Sequence, residues 1–235
     1  MVFTRIILLS DELSDVEEVR DTLQRCSPTR EILLIQNLGQ LTRLGSRTLS
    51  RSRMVSIFNS MIVPKQTLDL IGYGGYNFHL GPPNYPGWAP PCFAVYNREK
   101  QFGVTAHVMQ ARVDSGPIVG VKMFDVPAAH CAAKLFKQAM AALLELFEEI
   151  CPRLAGEEQP LSELPISWGT ERCLRSRLHE LCQISPSISQ EELERRMLAF
   201  GCRVGGGTPT VRLHDYRFTH VSAGGCSSQC NAQCK

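Results

Sequence analysis

The chain has 235 residues, with 25 Lys and Arg against 23 Asp and Glu and a formal net charge of +2. That length holds one α/β core with an appendage and falls short of two full-sized enzyme domains. Near-neutrality excludes the global basic field of a dedicated nucleic-acid binder, so any anion site has to be local, and no DNA partner is expected. No apolar run approaches the roughly 20 residues that span a bilayer, and no basic, apolar and small-residue leader pattern opens the chain; a cytoplasmic protein without a membrane partner is expected. Of the ten cysteines, seven are scattered without paired spacing and read as reduced thiols.

Residues 4–9 form an apolar, β-branched run, followed by a stretch with Leu13, Val16, Val19 and Leu23 at helical spacing. Residues 31–35 and 54–58 are further apolar runs, so the N-terminal part reads as strand, helix, strand and predicts a mostly parallel sheet. The turn after the first strand, residues 10–15, has no glycine, which argues against a backbone phosphate cradle there. Arg43, Arg47 and Arg51 recur every fourth residue and share one face if helical; with Arg53 they form a local basic cluster, either a solvated face or an anion site. Pro64 starts a short helix over residues 66–70.

The stretch from Tyr73 to Val119 carries the most chemistry. Residues 73–87 are too rich in glycine and proline for a helix interior. Asn77 and His79 stand two apart, which on extended backbone aims an amide and an imidazole from one face. Val104, Ala106 and Val108 alternate with Thr105 and His107 as in a half-buried strand, and Asp114-Ser115-Gly116-Pro117 is turn chemistry that leaves Asp114 at the lip of a sheet. Tyr85 and Trp88 are either core aromatics or walls of an acceptor pocket, and residues 94–96 begin or end a helix. Residues 128–150 show the longest helical pattern, with Leu135, Ala139, Ala142, Leu143, Leu146 and Phe147 in one stripe and Pro152 as its stop. A helix over 190–200, a glycine turn at 205–207 and a hairpin within 210–221 complete a small appendage. In the tail, Cys226, Cys230 and Cys234 have a spacing that three thiolates on a helix could use for a metal, but Gly224-Gly225 and the polar composition predict disorder instead, and no metal is expected.

Asn-x-His, a proline-rich loop ending Tyr85-Pro86-Gly87, then Gly103-Val104-Thr105-Ala106-His107 and Asp114-Ser115-Gly116-Pro117-Ile118 resemble the folate-dependent formyltransferases. The spacings of 35 positions from His79 to Asp114 and 7 from His107 to Asp114 match that family's pattern, over about residues 54–126. The resemblance implies a Rossmann-like catalytic domain over residues 1–152, a small extension over 153–221 and the tail over 222–235. It further implies transfer of a formyl group from 10-formyltetrahydrofolate to a primary amine by Asn77, His79 and Asp114, with His107 supporting Asp114. By the same resemblance Ser60, Met61, Ile62 and Val63, about 16 residues before Asn77, and Val113 would line the pterin pocket; Tyr85 and Trp88 are candidates for the acceptor pocket, and Arg47 and Arg51 for the phosphates of an acceptor nucleotide or the folate glutamate. The glycine-free first turn departs from the branch acting on glycinamide ribonucleotide, which favours a nucleotide-linked amino sugar as acceptor. A methionyl-tRNA or other amine acceptor, hydrolysis of the formyl folate and a non-catalytic binding role are the alternatives. A homodimer is compatible with all of these.

Overall fold

Ile6, Ile7, Leu8 and Leu9 are all 0% exposed, the signature of a strand covered on both faces. They form β1 (Arg5–Leu9), which lies between β2 (Glu31–Ile35) and β3 (Ser52–Ile57) and is parallel to both. The computed structural model describes residues 2–11, 16–127, 130–202 and 204–221. The sheet continues through β4 (Gly75–His79), parallel to β3, then β5 (Gln101–Val108), antiparallel to β4, and β6 (Ile118–Asp125). Its order is β2-β1-β3-β4-β5-β6, the mostly parallel α/β sheet expected from the alternating runs.

The helices are α1 (Val16–Cys26), α2 (Leu38–Thr42), α3 (Ser46–Leu49), α4 (Lys65–Leu68), α5 (Pro90–Tyr96), α6 (Ala132–Gly156), α7 (Arg175–Cys182) and α8 (Gln190–Phe200). A second, three-stranded sheet pairs β7 (Gln183–Ile184), β8 (Thr210–Leu213) and β9 (Tyr216–Thr219). The chain divides into two compact units interleaved in sequence: residues 1–79, 104–122 and 143–168, and residues 80–103, 123–142 and 169–235. The tail with Cys226, Cys230 and Cys234 lies outside the described residues.

In the first unit, Ile7, Leu9, Ile35, Leu41, Leu49, Met54 and Val63 pack into one apolar cluster, joined by Met61, Leu68 and Met109. Phe78 of β4 meets Phe147 of α6 edge-on at 5.3 Å. Gly120 of β6 lets that helix approach closely, because a Cβ there would stand 2.5 Å from Ile150 Cδ1. In the second unit, Phe93 and Tyr96 of α5 pack on Phe200 of α8, and Ser189 caps α8 by accepting a hydrogen bond from Glu192 N. The hairpin β8–β9 matches the expected strand pair, while α7 and β7 were not anticipated.

Three expectations are corrected. Pro152 does not end α6, which runs to Gly156 with the proline inside it. A proline removes a single backbone donor, and here the following turn is held by burial of Leu154 and Ala155, both 0% exposed. Arg53 is no part of a surface cluster: it is 0% exposed in β3. Its guanidinium donates to the carbonyls of Tyr73, Leu154, Glu157, Glu158 and Gln159 at 2.7–3.2 Å and so caps the end of α6. Arg43, Arg47 and Arg51 do not share one helix face either, because α2 stops at Thr42 and α3 restarts only after Gly45.

Candidate active site

The register of β4 against β5 sets the site. Asn77 lies opposite His107 and His79 opposite Thr105, so these four side chains share one face while Tyr76, Phe78 and Ala106 point to the other. Directly opposed residues are close enough to bond, and Asn77 Nδ2 lies 3.1 Å from His107 Nε2. The opposite ring nitrogen, His107 Nδ1, is 2.9 Å from Val108 O. A carbonyl only accepts, so Nδ1 carries a proton, and Nε2 is left facing the Asn77 amide.

The loop between β5 and β6, residues 109–117, brings Asp114 onto the same face. One carboxylate oxygen lies 3.3 Å from His107 Nε2 and the other 3.5 Å from His79 Nδ1, so the carboxylate spans the two imidazoles. Asp114 is 3% exposed and His79 7%. This loop conformation is demanding: Asp114 has φ +44°, and a Cβ on Gly116 would stand 2.0 Å from Val108 O. Ser115 Oγ closes the turn by donating to Arg112 O at 2.7 Å.

Sequence reasoning missed Trp168. Its indole meets the ring of His107 at 5.0 Å and that of His79 at 5.6 Å, nearly perpendicular to both. No periodic or turn signal marks the stretch that delivers it, so only the folded chain identifies it. Asp11 and Asn59 were missed as well. Asp11 Oδ2 accepts from Ser60 N at 3.1 Å and Ser60 Oγ at 2.9 Å, while the Asn59 side chain accepts from Met61 N and donates to Ser56 Oγ and Met61 O. These bonds shape the loop between β3 and α4. A carboxylate at the end of β1 also makes this corner unfavourable for a phosphate.

The remaining candidate residues fall as follows. Met61 is half-buried and Val63 buried, both packing on the apolar cluster. Ile62 is 68% and Val113 43% exposed, both on loops of the first unit. Arg47, on α3, is exposed, and Arg51, which follows that helix, is half-buried. In the second unit, Tyr85 is buried, its hydroxyl donating to Glu99 at 2.7 Å and accepting from Asn97 at 2.8 Å. Burial raises the Tyr85 pKa well above its ordinary value. Trp88 donates to Gly205 O, and Arg175 lies 4.0 Å over its ring. Among the described residues there is no His, Cys, Asp and Glu group that could hold a metal ion, and no helix is long and apolar enough to cross a membrane.

The fold defined by this sheet is that of the formyltransferases. A sugar N-formyltransferase from a Shewanella species superimposes with a TM-score of 0.70 at 17% identity, covering 94% of this chain and 98% of that one. The N-formyltransferase of Helicobacter canadensis, solved with folinic acid and dTDP-3-aminofucose, superimposes with a TM-score of 0.63 at 15% identity, covering 85% and 81%. In sequence, the methionyl-tRNA formyltransferase of Thermosynechococcus vestitus is 31% identical over 139 residues, 52% of this chain and 42% of that protein. The chain thus spans under half the length of this curated relative. No family model matches. In fold, and over about half of its sequence, the chain is therefore similar to formyltransferases.

Proposed function

We propose that the chain is an N-formyltransferase that moves the formyl group of 10-formyltetrahydrofolate to the amino group of a nucleotide-linked amino sugar. The observation that carries this reading is the convergence of His79 and His107 on the Asp114 carboxylate, with Asn77 paired to His107 on the same sheet face. Attack of a neutral amine on a formyl carbon builds negative charge on the formyl oxygen and positive charge on the nitrogen. Asn77 Nδ2 has two N–H bonds; one is aimed at His107, and the other serves the developing oxyanion. A donor so placed contributes on the order of 3 to 4 kcal/mol. His79, oriented through Nδ1 by Asp114, presents its other ring nitrogen to the reacting centre. The proton that the amine sheds passes to Asp114 and from there to the folate nitrogen as the carbon–nitrogen bond to it breaks.

The exposed apolar side chains Ile62 and Val113, with the loop that Asp11 and Asn59 shape, suit one wall of a pterin site. Arg47 and Arg51 are the cations proposed for an acceptor phosphate. The Helicobacter canadensis protein, bound to a folate and a dTDP-linked amino sugar, supports the choice of both substrates. A second reading, methionyl-tRNA as acceptor, draws on the sequence relatives. Incubating the protein and 10-formyltetrahydrofolate with dTDP-linked 3-amino and 4-amino sugars, and separately with methionyl-tRNA, distinguishes the two by mass spectrometry of the product. An N-formyl sugar is expected; formyl-methionyl-tRNA alone would overturn the acceptor assignment and leave the chemistry in place.

A further inference from the structure

We infer that Trp168 is a positioning residue for formyl transfer, one that locks the Asp114 loop to the two histidine rings. This rests on the functional reading above. Its indole stands at 87° to the His107 ring and 74° to the His79 ring, so a single side chain fixes the orientation of both imidazoles that flank Asp114. Its Nε1–H donates to Gly116 O at 2.8 Å, two residues beyond Asp114 in the same turn. One residue therefore holds the rings with its faces and edges and the loop with its donor.

The loop needs such a tie. Asp114 sits at φ +44°, a conformation that persists only where its surroundings hold it. Its carboxylate oxygens lie 3.3 Å from His107 Nε2 and 3.5 Å from His79 Nδ1, so a small retreat of the loop separates the carboxylate from both rings. Trp168 is itself anchored. The segment that carries it is held by the Arg53 guanidinium at Glu157, Glu158 and Gln159, by Leu161 N donating to Tyr76 Oη at 3.0 Å, and by Leu164 N donating to Ile118 O at 2.7 Å. Trp168 acts through the histidines and the loop, and contact with substrate is no part of the role.

Trp168→Phe keeps a six-membered ring and removes the donor together with the pyrrole ring; Trp168→Ala removes the aromatic side chain entirely. In the Phe variant kcat should fall about threefold to tenfold, the worth of one hydrogen bond, with KM for folate and acceptor unchanged and the thermal midpoint retained. Amide exchange at Ser115 and Gly116 should speed up in the same variant, and more so in Trp168→Ala. The exchange measurement needs no acceptor, so it separates two failures. If wild-type protein transfers no formyl group but loop exchange rises in Trp168→Phe, the functional reading falls and the tie stands. If kcat and loop exchange are both unchanged in Trp168→Phe, the positioning role is overturned.

Discussion

Asn77 pairs with His107, and in the proposed mechanism the same amide group also meets the substrate oxygen. Replacing it by Ala should lower kcat about a hundredfold while leaving KM and the circular dichroism spectrum close to wild type, because the residue lies on a sheet face and supports little packing; a kcat near wild type would remove it from the oxyanion site. Gly116→Ala should damage the same site from the backbone side. A Cβ at 2.0 Å from Val108 O forces the loop outward, so activity should drop along with the thermal midpoint, and unchanged kinetics would show that the Asp114 turn tolerates displacement. In the other unit, burial and two neighbouring thiols, Cys182 and Cys173, push the Cys92 thiol from its ordinary 9.0 up to about 12. Between those values only the unfolded chain sheds this proton, so stability is intact below pH 9.0 and falls as pH rises toward 12. Urea midpoints measured across that window should decline more steeply in wild type than in Cys92→Ala, and equal slopes would contradict the assignment. That Asn77, His79 and Asp114 come to one sheet face was legible because a two-residue spacing and a turn signature are local facts. Trp168 was not, since its meaning depends on where a proline-punctuated segment 54 residues beyond Asp114 comes to rest.

Among the elements, β3 and α6 are joined by a guanidinium that the sequence offered as a surface charge. An arginine inside an apolar strand run looks misplaced until its partners are known, and those partners are carbonyls about a hundred residues further along. The same bonds explain why α6 outlasts Pro152, a feature that local propensity predicts wrongly because tertiary capping outweighs one missing donor. Arg53→Met should leave several buried carbonyls unpaired and cost at least about 3 kcal/mol. In a chain of this size that is a fall of roughly 6 to 12 °C in thermal midpoint. Arg53→Lys should recover little of it, since an ammonium cannot span the acceptors that a planar fork reaches. A midpoint within error of wild type in Arg53→Met would contradict the capping role. By contrast α8 and the β8–β9 hairpin were plain in the sequence, since an N-cap serine with acidic residues in the first turn, and short alternating strands around a turn, are self-contained signals.

For the whole molecule, the sheet order could be anticipated as far as its parallel strands, whose alternation with helices is periodic in sequence, but the two interleaved units could not. Residues 153–168 belong to the unit that holds Asn77, His107 and Asp114 and residues 169–235 to the other, a partition set by long-range packing that leaves no mark in composition. Asn77, His79, His107, Asp114 and Trp168 all lie in one unit. The most direct measurement is a single turnover with 10-formyltetrahydrofolate labelled with carbon-13 in the formyl group and a dTDP-linked amino sugar, comparing wild type with Asp114→Asn by carbon-13 resonance. The label should pass to the sugar nitrogen in wild type and do so at least about a hundredfold more slowly in the variant. Label appearing as free formate in wild type, or transfer at an equal rate in Asp114→Asn, would contradict the account.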